Sequence, residues 1–335
     1  MKALLCAAPG KLEIVERPKP ALEPGRALVR IARAGVCGTD LHIFEGTQPY
    51  FDYPRVIGHE LAGHVADLGR RGAFHVGQQV AILPYIACGR CVACKRGKPN
   101  CCQTLNVIGV HSDGGMAEYV SVPLDNLVDA EGVGIDEAAM VEFLAIGAHA
   151  VRRGDVAAGQ RALVVGAGPI GLACAIFAKL RGAEVCVLDR RADRRAFASR
   201  GLGVDHALAA GEGARAAMAE LTKGDFYDCV FDCTGSAAAM MAGFAYVAHG
   251  GAYVLVSIVR EAISFADPEF HRRETSLLGS RNATREDFEA ALAALRLGRI
   301  PAGLLTHRAT LAQAPERFAQ WLDPASGVIK AMLEI

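Results

Sequence analysis

Apolar and polar positions alternate through much of the first 145 residues. RALVRIARAGVCG, QQVAILPYIA and AEYVSVP show the pattern of half-buried strands, and Gly and Pro break the chain between them. This predicts an irregular, mostly antiparallel β domain over residues 1–145. The texture changes at DEAAMVEFLAIGAHAVRR, residues 136–153, which reads as a helix. Six short strand candidates follow: ALVV, EVCVL, DHAL, DCVFD, AYVLVS and SLLGS. Helix-like segments separate several of them, which predicts an α/β doubly wound parallel sheet over 146–284. In the remaining stretch, 285–335, Phe288, Leu292 and Leu295 mark one face of a helix, and VIKAMLEI reads as a closing strand.

Length and composition fit that division. A chain of 335 residues exceeds one ordinary core, so two domains are expected. Its 52% apolar content is ample for packing and argues against disorder. Lys plus Arg and Asp plus Glu both total 36, giving a formal net charge of zero. That balance removes the electrostatic footprint expected of a nucleic-acid or anionic-membrane binder. The start, MKALLCAAPGKLEIVERPKP, is apolar too briefly for a secretory signal. The longest uncharged run, Ala162 to Ala178, is interrupted by Gly166, Gly168, Pro169 and Gly171, so a strand, a turn and a buried helix fit it better than a membrane span. The expected compartment is the cytoplasm. Thiols stay reduced there, so eleven cysteines do not indicate a disulfide scaffold.

Two windows carry chemistry. In ALVVGAGPIGLACAIFAKLRGAEVCVLD, Gly166, Gly168 and Gly171 form G-x-G-x-x-G between an apolar strand and a helix, with Pro169 in the first helical turn. Such glycines let the backbone approach a pyrophosphate, which free N–H groups at the helix start then hold. Asp189 ends the next strand, 18 residues past Gly171, where a carboxylate accepts the ribose hydroxyls and disfavours a 2′-phosphate. NAD is therefore expected rather than NADP. Arg190 and Arg191 follow directly and pull the other way. The second window, CGRCVACKRGKPNCC, puts five thiols into fifteen positions. Cys88, Cys91 and Cys94 are spaced C-x2-C-x2-C, and Cys101 and Cys102 follow. Four thiolates closing around one ion is the arrangement of a structural zinc, and a redox pair does not need so many. More dispersed are Cys37, Thr39, Asp40 and His42 in AGVCGTDLH, and His59 and Glu60 in VIGHELAGHV. Cys, His and carboxylate are zinc ligands, and three protein ligands leave a position for substrate.

Taken together, GVCGTDLH, GHELAG, CGRCVACKRGKPNCC, GGMAEY and GAGPIG resemble the zinc-dependent medium-chain dehydrogenases in order and spacing, along essentially the whole chain. The resemblance implies a GroES-like antiparallel β catalytic domain, a Rossmann domain, and a C-terminal return to the first. It implies that Cys37, His59 and Glu60 hold a catalytic zinc, and that Cys88, Cys91, Cys94 and Cys102 hold a structural one, leaving Cys101 spare. Thr39 and His42 match a proton relay, and Asp40 a carboxylate orienting a zinc-bound histidine. Glu142 matches an acid of the sorbitol and threonine dehydrogenase branches that either ligates zinc or holds its water. Those branches often place Pro next, where this chain has Phe143. Ile170, Asp189 and Arg194 match NAD contacts, as do Ser257, Ile258, Ser280 and Arg281. YPRVIGHE, IGVHSDGG and a late SRNA resemble a sugar-acid (L-galactonate-like) subgroup.

The implied activity is oxidation of a secondary alcohol of a polyol or sugar acid, with hydride passing to NAD, in a homo-oligomer (dimer or tetramer). A second reading keeps the chemistry but takes L-threonine or a simple alcohol. A third is a dinucleotide-binding sensor without turnover. The presence together of Cys37, Thr39, His42, His59 and Glu60 weighs against it.

Overall fold

The computed structural model describes residues 1–49, 51–69 and 72–335. Two compact units emerge. One comprises Met1–Phe143, Thr284–Gly298 and Gly303–Ile335, the other Leu144–Ala283 and Arg299–Ala302.

The first unit is built around one long strand, Arg26–Val36. It pairs antiparallel with three others: Glu60–Leu68 along most of its length, Tyr119–Pro123 at its start and Lys330–Glu334 at its end. Strands Gln79–Ile82 and Leu127–Asp129 extend the sheet on one side, and Leu305–Thr310 runs parallel to Lys330–Glu334 on the other. A core of Val29, Ile31, Leu61, Val80, Ile82 and Leu333 fills the inside. These are the alternating apolar positions of the sequence, turned inward by the two-residue period of a strand.

The second unit is a six-stranded parallel sheet. Its spatial order is His206–Ala209, Glu184–Asp189, Arg161–Val165, Tyr227–Asp232, Val247–Leu255 and Ser276–Gly279, or 3-2-1-4-5-6 in chain order. That is the Rossmann order, with its reversal at the first strand. The six expected strands all form. The α/β class with an antiparallel GroES-like part and a doubly wound part therefore holds.

One element differs from expectation. Residues 136–153 are not one helix but two, Ile135–Ala139 and Val141–Arg153. The Met140 N–H bonds Glu137 O at 3.0 Å, an i to i+3 closure that tightens the last turn and stops the first helix. Hydrophobic periodicity does not register such a break, because both pieces keep apolar residues on the buried side.

Candidate metal and dinucleotide sites

Three stretches meet at the far end of the long strand. Cys37 directly follows it and opens helix Gly38–Glu45, and His59 and Glu60 lead into its antiparallel neighbour. One ligand atom from each of Cys37, His59 and Glu60 lies within 4.8 Å of the others, with His59 and Glu60 buried. Asp40, fully buried, accepts the Cys37 backbone N–H at 2.9 Å. Its other oxygen lies 3.6 Å from His59 Nδ1. The carboxylate therefore turns the imidazole so that Nε2 is left for an ion, the arrangement that orients metal-bound histidines.

The electrostatics of this pocket call for a cation. Burial alone would lower the His59 pKa, but the Asp40 and Cys37 charges more than offset it and raise it well above the ordinary value. Asp40 Oδ1, His59 Nδ1 and Glu142 Oε2 are buried without hydrogen-bond partners. Asp40 Oδ1 and His59 Nδ1 face each other at 3.6 Å, which leaves Glu142 Oε2 as the orphan; such atoms are rare in folded proteins, and this one fits a bound water or substrate. Soft thiolate, imidazole and carboxylate together suit zinc.

Glu142 is not in the tight group of three. Tyr85 donates its hydroxyl to Glu142 Oε1, and burial pushes the Glu142 carboxyl up to about 7. Thr39 and His42 sit three apart on helix Gly38–Glu45, the first half-buried and the second exposed. His42 Nδ1 is 3.2 Å from Thr47 Oγ1.

The second metal group closes fully. The sulfurs of Cys88, Cys91, Cys94 and Cys102 lie within 4.8 Å of one another, and the exposed Cys101 is outside the group. Backbone N–H groups of Arg90 and Cys91 push the Cys88 thiol down to about 6, whereas burial pushes Cys94 up to about 12. Four sulfurs facing one another, with main-chain donors supporting thiolate, fit a structural zinc with no open position.

In the second unit a cavity of about 500 Å³ opens at the carboxyl end of the sheet. Gly166, Gly168, Asp189 and Arg194 line it. Gly166 has a φ of 93°, and a Cβ on Gly171 would lie 1.8 Å from Gly166 O, so both positions demand glycine. Pro169, Ile170 and Gly171 form the first turn of helix Pro169–Leu180. Asp189 Oδ2 accepts the Ala167 N–H at 2.6 Å and Oδ1 accepts that of Arg191 at 2.7 Å. Ser257, Ile258, Ser280 and Arg281 are not among the residues lining this cavity. Ser257 instead bonds the Gly235 N–H, and Ile258 is 70% exposed.

Two residues escaped the sequence reading. Tyr85 holds Glu142, and Lys330 donates to both oxygens of Glu60 at 2.5 and 2.7 Å. The available signals were a lone Lys inside the apolar closing strand VIKAMLEI and a Tyr three residues ahead of Cys88.

The chain matches the alcohol dehydrogenase GroES-like domain over residues 23–132 and the zinc-binding dehydrogenase model over 169–296. L-galactonate-5-dehydrogenase of Escherichia coli K12 is 44% identical over 322 residues, 95% of each chain. D-altritol 5-dehydrogenase of Agrobacterium fabrum is 34% identical over 97% of this chain and 98% of its own. A crystal structure from E. coli CFT073, described as a short chain alcohol dehydrogenase complexed with NADH, superimposes with a TM-score of 0.94 at 31% identity, covering 100% of this chain and 99% of that one. Among the described residues no helix is long and apolar enough to cross a membrane. The chain therefore belongs to the zinc-dependent alcohol dehydrogenase family.

Proposed function

We propose that this protein oxidises a secondary alcohol of a polyol or sugar acid, L-galactonate or a close analogue, using NAD. The observation that carries the reading is the buried convergence of Cys37, His59 and Glu60 with Asp40 behind the imidazole, in a chain so similar to a sugar-acid dehydrogenase. Zinc bound there would supply a Lewis acid that lowers the substrate hydroxyl's pKa, and NAD would accept the hydride.

The chain's own groups do the rest. Cys37, His59 and Glu60 are assigned to the catalytic ion, and Asp40 fixes the His59 tautomer. Glu142, held by Tyr85 and poised near neutral, can hold a proton or a water at its free Oε2. Thr39 and His42 are assigned the passage of the hydroxyl proton outward, where the exposed His42 meets solvent. Cys88, Cys91, Cys94 and Cys102 are assigned to a structural zinc. In the second unit Gly166, Gly168 and the start of helix Pro169–Leu180 are assigned to the pyrophosphate, with Asp189 and Arg194 at the adenosine end. The first unit would thus be the catalytic domain and the second the NAD-binding domain. Family membership further supports a cytoplasmic homo-oligomer, dimer or tetramer.

The test is NAD reduction against L-galactonate, sorbitol, L-threonine and simple alcohols. Highest kcat/KM on the sugar acid or a polyol is expected. Preference for L-threonine or simple alcohols would overturn the substrate class, and NAD binding without any turnover would favour the sensor.

A further inference from the structure

Three arginines, Arg190, Arg191 and Arg194, line the cavity of the second unit beside Asp189. Guanidinium groups beside a ribose position are what recognition of a 2′-phosphate uses. Arg191, however, faces a carboxylate outside the cavity. It donates from Nε to Asp193 Oδ1 at 3.0 Å and from Nη2 to Asp193 Oδ2 at 2.6 Å, a two-point pair. Asp193 itself is not among the lining residues.

The backbone around this pair is well tied. The Ala167 and Arg191 N–H groups fix the Asp189 carboxylate, and Arg195 Nη1 donates to Asp189 O at 2.9 Å and to Arg190 O at 2.8 Å. The turn from Asp189 to Arg191 is thus held by bonds that do not involve Asp193, and what Asp193 controls is the Arg191 side chain. A phosphate on the ribose 2′-oxygen would bring a dianion up to Asp189 and would need a cation to offset the repulsion. Arg191 has that charge at the cavity wall, but its Nε and one Nη2 proton are already given to Asp193.

We infer that Asp193 is a positioning residue for cofactor choice: it holds Arg191 in a two-point pair and so withholds that cation from a 2′-phosphate, leaving the repulsion by Asp189 uncompensated. This rests on the reading of the cavity as the NAD site with Asp189 at the adenosine ribose. The two side chains are 34% and 53% exposed, so the pair is solvated and its effect is modest. Asp189 sets the preference for NAD, and Asp193 widens it. The adjacent arginines that seem to favour NADP in the sequence are in this way partly disarmed by an acid two residues further on.

The experiment uses the purified full-length protein as wild type, Asp193→Ala, Asp193→Asn, Arg191→Met and the Asp193→Ala/Arg191→Met double variant. NADH binding is followed by its fluorescence, and 5′-AMP and adenosine 2′,5′-bisphosphate, which differ only in the 2′-phosphate, are titrated as competitors. Asp193→Ala should bind the bisphosphate about fivefold more tightly than wild type, with the Kd for NADH and 5′-AMP within about twofold. Asp193→Asn, which keeps the size and removes the charge, should move in the same direction. The gain should shrink as salt is raised. In the Arg191→Met background, Asp193→Ala should change bisphosphate affinity by less than about twofold, because the cation it restrained is gone. An equal gain with and without Arg191 would mean that Asp193 repels the phosphate directly, and would overturn the inference. Unchanged bisphosphate affinity in Asp193→Ala would overturn it as well, as would equal tightening of both competitors, which a reshaped turn would give. A wild type that does not bind NADH would overturn the dinucleotide reading, and this inference with it.

Discussion

Asp189 is held before any ligand arrives, since the Ala167 and Arg191 N–H groups each fix one of its oxygens. Each oxygen keeps a lone pair for a ribose hydroxyl, so the proposed contact would be pre-organised, with charge-assisted hydrogen bonds worth about 1.5–3 kcal/mol. Asp189→Ala should therefore raise the Kd for NAD by about tenfold or more in a fluorescence titration, with a much smaller change in the alcohol KM. An unchanged NAD affinity would remove the ribose contact from the account. Residues of this kind were legible in the sequence because their chemistry is local: a glycine triplet, the acid ending the next strand, and thiols three apart. Tyr85 and Lys330 were not, since their partners lie 57 and 270 residues away and only the folded sheet brings them together.

The cysteine-rich loop has little of its own to hold it. It contains one turn of helix, Val92–Lys95, none of it buried, and a 3-10 turn at Pro99–Cys101. With so little regular structure it should depend on a bound ion, so Cys91→Ser should cost the structural zinc and lower Tm, while Cys101→Ser leaves both unchanged. Zinc analysis with calorimetry checks this, and equal damage from the two would put the spare thiol in the wrong place. The short helix Ile135–Ala139 is stapled differently. Its Asp136 accepts from Arg33 at 2.7 Å and from Arg308, tying it to the Arg26–Val36 and Leu305–Thr310 strands. The Arg308 bond, then Arg33, hold the Asp136 carboxyl below its ordinary range against partial burial. A depressed folded pKa stabilises above the unfolded value of about 3.9, and that stability is lost as pH falls through the folded value. Asp136→Asn should thus lower stability by about 1–3 kcal/mol at neutral pH and progressively less below about pH 4, as measured by urea unfolding. An equal cost at pH 3 and pH 7 would contradict the ion-pair explanation. The strands themselves were readable from alternation, but the break at Met140 was not, because it lies in one i to i+3 hydrogen bond rather than in any change of pattern.

The order of the chain does not reveal how the proposed metal site of the first unit is assembled. Residues near position 37, near 60 and at 330 converge because the Arg26–Val36 strand pairs with a neighbour from each direction, the last from the final six residues, while Tyr85 and Glu142 meet through their own hydrogen bond. The architecture was nonetheless expected as a whole, since each unit repeats its own period, two for strands in one and strand–helix alternation in the other. What joins fold to function is the claim that two separate sites each hold a zinc, one closed by four thiols and one open for chemistry. Zinc per chain, measured by mass spectrometry on wild type and Cys37→Ser, tests it most directly. Two equivalents in the wild type and one in the variant, with fold retained and turnover lost, is the predicted result. One equivalent in both proteins would contradict it.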